Sequence, residues 1–307
     1  MAMTAAAALI CATGVAVQPA AAAPAAAPAP AASSGKHTVT YDGYSFLIDG
    51  KRTYLWSGEF HYFRLPSQDL WLDTLQKMKA AGFNAVSLYF DWGYHSPAPG
   101  VYDFTGVRDV DKLLDMADDL GIYVIARPGP YINAEVDGGG FPGWLSTKPG
   151  NTRTSDPNYL KYSDEWQTQI DRIIKRHQLT DGGGSVIQYQ VENEYYNGSA
   201  AGRTYMKHLE DKAKEDGITV PLVGNNNGTF NSGDAALDVD AADSYPQLFN
   251  CSDPAKWNPV PDISYDHVTG KPLATAEFQG GAFDPWGGPG YDKCAELIND
   301  KFADVFY

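Results

Sequence analysis

The chain has 307 residues, with 38 acidic against 23 basic side chains, a formal charge of −15, 19 tyrosines and 7 tryptophans. That length suits one large domain or two small ones. A chain this acidic lacks the basic surface that phosphate backbones require, which excludes nucleic acid as a partner. The acidity otherwise reads as a solubility feature, and the aromatic content suits either a large core or a stacking surface.

Residues 1–23 read as a signal peptide. The run Ala5 to Val17 is apolar but too short to span a bilayer, and Ala21-Ala22-Ala23 offers a cleavage site. One feature departs from that pattern: no Lys or Arg precedes Lys36. Residues 24–36 form an Ala/Pro-rich linker without core-forming side chains, and residues 37–307 form the folded domain. A secreted, extracellular chain with no membrane anchor is expected. Cys11 leaves with the leader. Cys251 and Cys294 then remain in an oxidising compartment, which favours one disulfide over two separate buried thiols. Asn197, Asn227 and Asn250 each begin a glycosylation sequon.

The folded part opens with Phe46-Leu47-Ile48, an Asp49-Gly50 turn and Thr53 to Trp56, the pattern of a hairpin. The chain runs on into Ser57 to Arg64, a strand end rich in polar and aromatic groups. Ser67 is placed to cap a helix over Leu70 to Ala81, which Gly82 stops. Ala85 to Trp92 is an almost uninterrupted apolar strand, of the kind buried on both faces of a parallel sheet. A helix over Val110 to Leu120 ends at Gly121, and the strand Ile122 to Ala126 leads into the loop Arg127 to Glu135 and the Gly-rich stretch before Trp144. A helix over Tyr159 to His177 carries Trp166, Ile170, Ile173 and Ile174 on one face. The strand beginning at Val186 ends in Glu192-Asn193-Glu194. A helix over Tyr205 to Asp216 is followed by strands at Pro221 to Val223, Asp238 to Tyr245 and Leu273 to Ala276, the last delivering Glu277. Tyr291 to about Phe306 reads as a final helix.

Alternating strands and helices predict a parallel sheet with helices outside it. Seven strand–helix steps with polar strand ends favour a (β/α)8 TIM-type barrel. No Gly-x-Gly-x-x-Gly follows the first strand, which weighs against a dinucleotide fold. The eighth strand is missing, so the domain is expected to be C-terminally incomplete.

Ionisable groups at the end of a buried strand are costly unless they are used or paired. Glu194 and Glu277 stand at the ends of the fourth and seventh strands. Two carboxyl groups on different strands suit glycoside hydrolysis, where one protonates the leaving oxygen and the other attacks the anomeric carbon or activates water. The plainer reading of any one of these glutamates is an ion pair with a basic side chain. Glu192 is the better candidate for that structural role. Arg64 is a candidate to keep Glu277 ionised, and Trp144 and Trp286 either stack on a sugar or belong to the core. The six histidines show no metal-ligand spacing, so neither a metal nor a cofactor is expected.

The segments SGEFHYFRLP, SLYFDWGYHSP, RPGPYINAEV with GGGFPGWL, QVENEY, DSYP and EFQGGAFDPWGG occur in that order. Together they resemble family 35 glycoside hydrolases, β-galactosidases of the secreted fungal type, over about Lys36 to Tyr307. The resemblance implies a retaining exo-β-galactosidase that forms a galactosyl-enzyme ester. Glu194 would be the acid/base and Glu277 the nucleophile. Asn193 would hydrogen-bond the sugar 2-hydroxyl. Tyr89, Asn133, the Ala134 backbone and Glu135 would hold the galactose hydroxyls, with Tyr245 near the nucleophile. Cys251 and Cys294 match a disulfide pair of the fungal members. The expected partner is a terminal β-galactoside of an oligosaccharide or glycan. The alternatives are an exo-β-glycosidase with another sugar preference, and a catalytically silent sugar-binding or non-folding fragment, motivated by the missing eighth strand.

Overall fold

The computed structural model describes residues 35–244 and 270–278. The leader, Tyr245, Cys251, Cys294, Trp286, the Asn250 sequon and the expected final helix lie outside the described residues.

Strands Val39–Tyr41 (β1), Phe46–Ile48 (β2) and Lys51–Thr53 (β3) form an antiparallel sheet. The β2–β3 connection is the expected Asp49-Gly50 turn. Both residues are left-handed, with φ of 51° and 72°, the backbone a two-residue hairpin turn needs. The third strand ends earlier than its residues suggest. The Asn84 side chain takes over from the ladder, accepting from Trp56 N at 2.8 Å and donating to Tyr54 O at 2.7 Å.

Next come Ser57–Glu59 (β4), the helix Gln68–Ala80 (α1), Ala85–Tyr89 (β5), the short helix Trp92–His95 (α2) and the helix Val110–Asp119 (α3). Tyr123–Arg127 (β6), Pro157–Ile174 (α4), Val186–Gln190 (β7), Ala200–Asp216 (α5) and Leu222–Gly224 (β8) follow. The described chain closes with Val239–Asp240 (β9), Ala242–Ser244 (β10) and Thr275–Phe278 (β11). Ser67 caps α1 as expected, its side chain accepting from Leu70 N at 3.4 Å.

Three of the boundaries that differ from expectation have a local cause. The β4 strand stops at Glu59 because Tyr62 is drawn into the helix-side core, where its hydroxyl meets His95 Nε2 at 2.6 Å and its carbonyl accepts from Trp71 Nε1. The β5 strand stops at Tyr89 because the Asp91 side chain accepts from Tyr94 N and starts α2. The α5 helix begins at Ala200, five residues early, because Ser199 accepts from Gly202 N at 3.3 Å.

Strands β4 to β9 form one parallel sheet in consecutive order, and β10 pairs in parallel with β11. The β9 and β10 strands are one strand changing neighbours. Ala241 N donates to Gly224 O on the β8 side, and Ala242 N donates to Ala274 O on the β11 side. Seven parallel strand positions therefore succeed one another, the order of a (β/α)8 TIM-type barrel. The main core lies between sheet and helices. It joins Val86, Leu88, Val124 and Ala126 to Leu75, Leu113, Trp166 and Ile170. Residues alternating with these point inward, as the period of a strand requires. The antiparallel sheet covers the strand beginnings, with Val39 and Ile48 against Ile187 and Tyr123, and Phe46 against Val223 and Val239.

Candidate active site

Polar groups collect at the opposite, C-terminal ends of the strands. Strand β7 continues one residue beyond its ladder, with Val191 N donating to Val223 O. Its pleat then breaks, because Glu192 and Glu194 take left-handed φ of 62° and 49°. Such backbone costs about 1–3 kcal/mol per residue and persists only where surrounding bonds hold it. The break lets the consecutive Asn193 and Glu194 serve one site, which a regular strand would forbid.

Arg153 supplies much of that hold. It grips Glu192 with Nε to Oε1 at 3.1 Å and Nη2 to Oε2 at 2.8 Å, and Nη2 also reaches Asn193 O at 2.6 Å. Tyr205 donates to Glu192 Oε1 at 2.9 Å, and Asn193 N donates to Oε2 at 2.7 Å. Glu192 is thus buried and fully paired, as expected for a structural partner.

Glu277, on β11, receives Arg127 Nη2 at 2.5 Å and Tyr89 Oη at 2.6 Å on Oε1, with Asn225 Nδ2 at 3.3 Å. Arg127 is 1% exposed, and its Nη1 also holds Glu59 at 2.8 Å. It lies over the Tyr89 ring, 3.9 Å from the centroid. The basic partner expected of Glu277 is therefore corrected. Arg64 instead donates to Ala134 O at 2.6 Å and Glu135 O at 3.3 Å, because it emerges after β4 against the 133–135 loop.

Asn193 is 1% exposed. Its Oδ1 accepts from Tyr89 at 2.7 Å, Asn225 at 2.9 Å and Arg127 at 3.1 Å. Its Nδ2 has no partner among the described residues, which leaves a buried donor for a ligand oxygen. Glu194 is half-buried. Its Oε1 accepts from Tyr196 Oη at 3.0 Å, and its backbone N donates to Asn225 Oδ1 at 3.0 Å.

Asn133, Ala134 and Glu135 all take left-handed φ, at 54°, 48° and 50°. Asn133 Nδ2 lies 3.4 Å from Glu135 Oε1. Burial raises the Glu135 carboxyl above the usual range, with nearby Glu277 and Glu59 adding to it and His61 opposing. The structure thus joins Tyr89, Asn193 and Glu277 by direct bonds, and Asn225 links them to the Glu194 backbone. Trp144 is a packing residue, its Nε1 donating to Ser96 O and its ring set edge-on to Trp92 and Tyr162. Among the described residues no cluster of His, Cys, Asp or Glu is arranged to hold a metal ion.

Sequence reasoning gave no role to Arg127, Arg153, Gln190, Asn225 or Tyr196. Gln188 and Gln190 on an otherwise apolar strand, and Asn225 directly after Gly224 at the end of β8, carried the signal, since polar residues at buried strand ends need a purpose.

This architecture is shared by solved glycosidases. A β-galacturonidase from Eisenbergiella tayi superposes with a TM-score of 0.58 at 16% identity, over 88% of this chain and 44% of that one. A β-D-glucuronidase from Dictyoglomus thermophilum gives 0.52 at 18% identity, over 88% and 44%. The sequence itself narrows the class further. Residues 45–307 match the model of glycosyl hydrolases family 35, and the chain belongs to that family. It is 44% identical over 285 residues to a β-galactosidase of Aspergillus niger, and 44% identical over 286 residues to β-galactosidase A of a Penicillium species. A probable β-galactosidase A of Aspergillus fumigatus is 45% identical over 285 residues. Each alignment covers 88% of this chain, which spans about 28% of the length of those relatives.

Proposed function

We propose that the protein is a retaining exo-β-galactosidase that removes terminal β-linked galactose through a covalent galactosyl-enzyme ester. The carrying observation is the setting of Glu277. Its carboxylate is held by a buried guanidinium and a tyrosine hydroxyl, beside Asn193, whose Nδ2 has no partner among the described residues, and within the same network as Glu194. Arg127 keeps Glu277 ionised by charge proximity and fixes its aim. Glu277 attacks the anomeric carbon while Glu194 gives its proton to the departing oxygen. Glu194 then takes a proton from water as water opens the ester, the two-step chemistry of retaining enzymes. Asn193 Nδ2 donates to the sugar 2-hydroxyl, and Tyr89, Asn133, Ala134, Glu135 and Tyr245 shape the galactose pocket.

Three features of the whole protein belong to the same reading. Residues 1–23 direct secretion, residues 24–36 link leader to barrel, and Cys251 pairs with Cys294. No helix among the described residues is long and apolar enough to cross a membrane.

The test is hydrolysis of a chromogenic β-galactoside, with the anomer of the first-formed galactose followed by NMR. Retention of the β anomer and loss of at least a thousandfold in kcat with Glu277→Gln support the proposal. An inverted product, or full activity in that variant, overturns it. If a β-glucosaminide is cleaved in preference to a β-galactoside, the mechanism stands and the sugar assignment falls.

A further inference from the structure

A third carboxyl group stands in the site and takes no part in the two-carboxylate chemistry. Asp243 lies on β10 directly opposite Glu277 in the parallel β10–β11 pairing. Its Oδ2 accepts from Asn225 Nδ2 at 3.0 Å, the same nitrogen that approaches Asn193 Oδ1 and Glu277 Oε1. Asn225 Oδ1 is already taken by Gln190 Nε2 and Glu194 N, so this amide cannot turn round. Asp243 Oδ1 is buried without a hydrogen-bond partner among the described residues. A buried carboxylate oxygen left in that state is costly, whereas the hydroxyl of a carboxylic acid is a donor surrounded by negative charge.

The local charges point the same way. Among the described residues, Glu277 faces Asp243 from β11, Glu194 from the end of β7 and Arg127 from β6, with the Tyr196 hydroxyl nearby. Arg127 is already divided between Glu59 and Glu277. Burial, then the charge of Glu277, push the Asp243 carboxyl up to about 9 against the pull of Arg127, with Glu194 adding to the rise.

We propose that Asp243 is a neutral carboxylic acid in the resting enzyme and a positioning residue for the nucleophile. Its carbonyl oxygen orients Asn225, and its retained proton lets Glu277 be ionised beside Arg127, whose charge is shared with Glu59. The charge on Glu277 adds to burial in holding the proton there, so Asp243 becomes more acidic whenever that charge is removed, as it is in the glycosyl ester. The catalytic meaning rests on the function proposed above, while the proton on Asp243 is measurable without any substrate.

The test is infrared titration of the purified protein, reading the carbonyl stretch of protonated carboxyl groups in wild type, Asp243→Asn and Glu277→Gln. At pH 7 the wild type should show a protonated-carboxyl band that Asp243→Asn lacks. In Glu277→Gln that band should be lost at a pH at least one unit lower than in wild type. No difference between wild type and Asp243→Asn at pH 7, or an unmoved midpoint in Glu277→Gln, overturns the proposal. The comparison of wild type with Glu277→Gln stands even where Asp243→Asn does not fold. Kinetics give a second readout, since the neutral isostere should restore at least tenfold of the kcat lost in Asp243→Ala. Equal losses in the two variants count against a role for the neutral acid. If no glycoside is hydrolysed but the band behaves as expected, the proposed activity fails and the assignment of the proton stands.

Discussion

Glu192 and Glu194 lie two residues apart and share a left-handed backbone, yet their surroundings divide their roles. Glu192 has both oxygens filled by Arg153, Tyr205 and Asn193 N, with no side-chain surface in water. Removing its charge leaves a largely buried guanidinium unbalanced. Glu192→Gln should therefore destabilise the fold by about 3 kcal/mol, read as a lowered urea midpoint with unchanged m-value. Glu194 keeps one described side-chain partner, the Tyr196 hydroxyl, and Tyr196 is otherwise 49% exposed. Tyr196→Phe should leave stability within about 0.5 kcal/mol. It should lower kcat/KM about fivefold, the value of one hydrogen bond of about 1 kcal/mol. An unchanged kcat/KM would show that this hydroxyl does not hold Glu194 in the working enzyme.

At the scale of elements, the loop after β6 is held open by backbone that side chains resist. Asn133 to Glu135 are left-handed in succession, and Arg64 clamps the carbonyls of Ala134 and Glu135 from the far side of the site. The loop closes through Ile132 N to Gly139 O at 2.9 Å. Gly139 has φ of 63°, and a Cβ there would lie 2.0 Å from the Tyr131 ring. Tyr131 in turn lies beneath Arg153, 4.0 Å from guanidinium carbon to ring centroid, so an intrusion at Gly139 reaches the group that holds Glu192. Gly139→Ala should destabilise by about 2 kcal/mol and raise KM more than it lowers kcat, because it displaces the loop that carries Asn133 and Glu135. A normal KM in a destabilised variant would separate the loop from substrate binding.

At the scale of the whole molecule, two of the buried groups among the described residues, His95 and Asp243, set opposite pH trends. His95 is buried and neutral, lowered by burial from 6.5 to about 4. Between those values the unfolded chain binds a proton that the native state does not, so this group makes stability rise with pH. Asp243 is raised from 3.8 to about 9, so between those values the native state holds the extra proton and stability falls as pH rises. The two oppose each other from about pH 4 to 6.5, and above that only the Asp243 trend remains of this pair. The unfolding free energy from urea titrations should therefore decline from pH 6.5 to 9, by at most about 1.4 kcal/mol per pH unit from one group. Asp243→Asn should flatten that decline. A decline of equal slope in both proteins would mean that Asp243 titrates normally.

Much of this was legible before any coordinates, and the reasons differ by residue. The apolar runs Ala85 to Leu88 and Val186 to Ile187, the cap at Ser67 and the Asp49-Gly50 turn declare themselves locally, because burial period, capping and left-handed backbone are properties of neighbouring residues. The order of strands follows from their alternation with helices. The six ordered segments singled out Glu194, Glu277, Asn193 and Tyr89, and the structure draws these into one network. It could not be read from sequence that Arg127 rather than Arg64 reaches Glu277, that Asn225 bridges four side chains, or that Arg153 stands behind Glu192. Each of those facts depends on strands distant in sequence arriving side by side, with a register that determines which inward side chains share a layer. Sequence determined which residues carry charge at the strand ends. Only the side-by-side arrival of those strands decided which charges meet and how far from water, because the contacts join residues far apart in sequence.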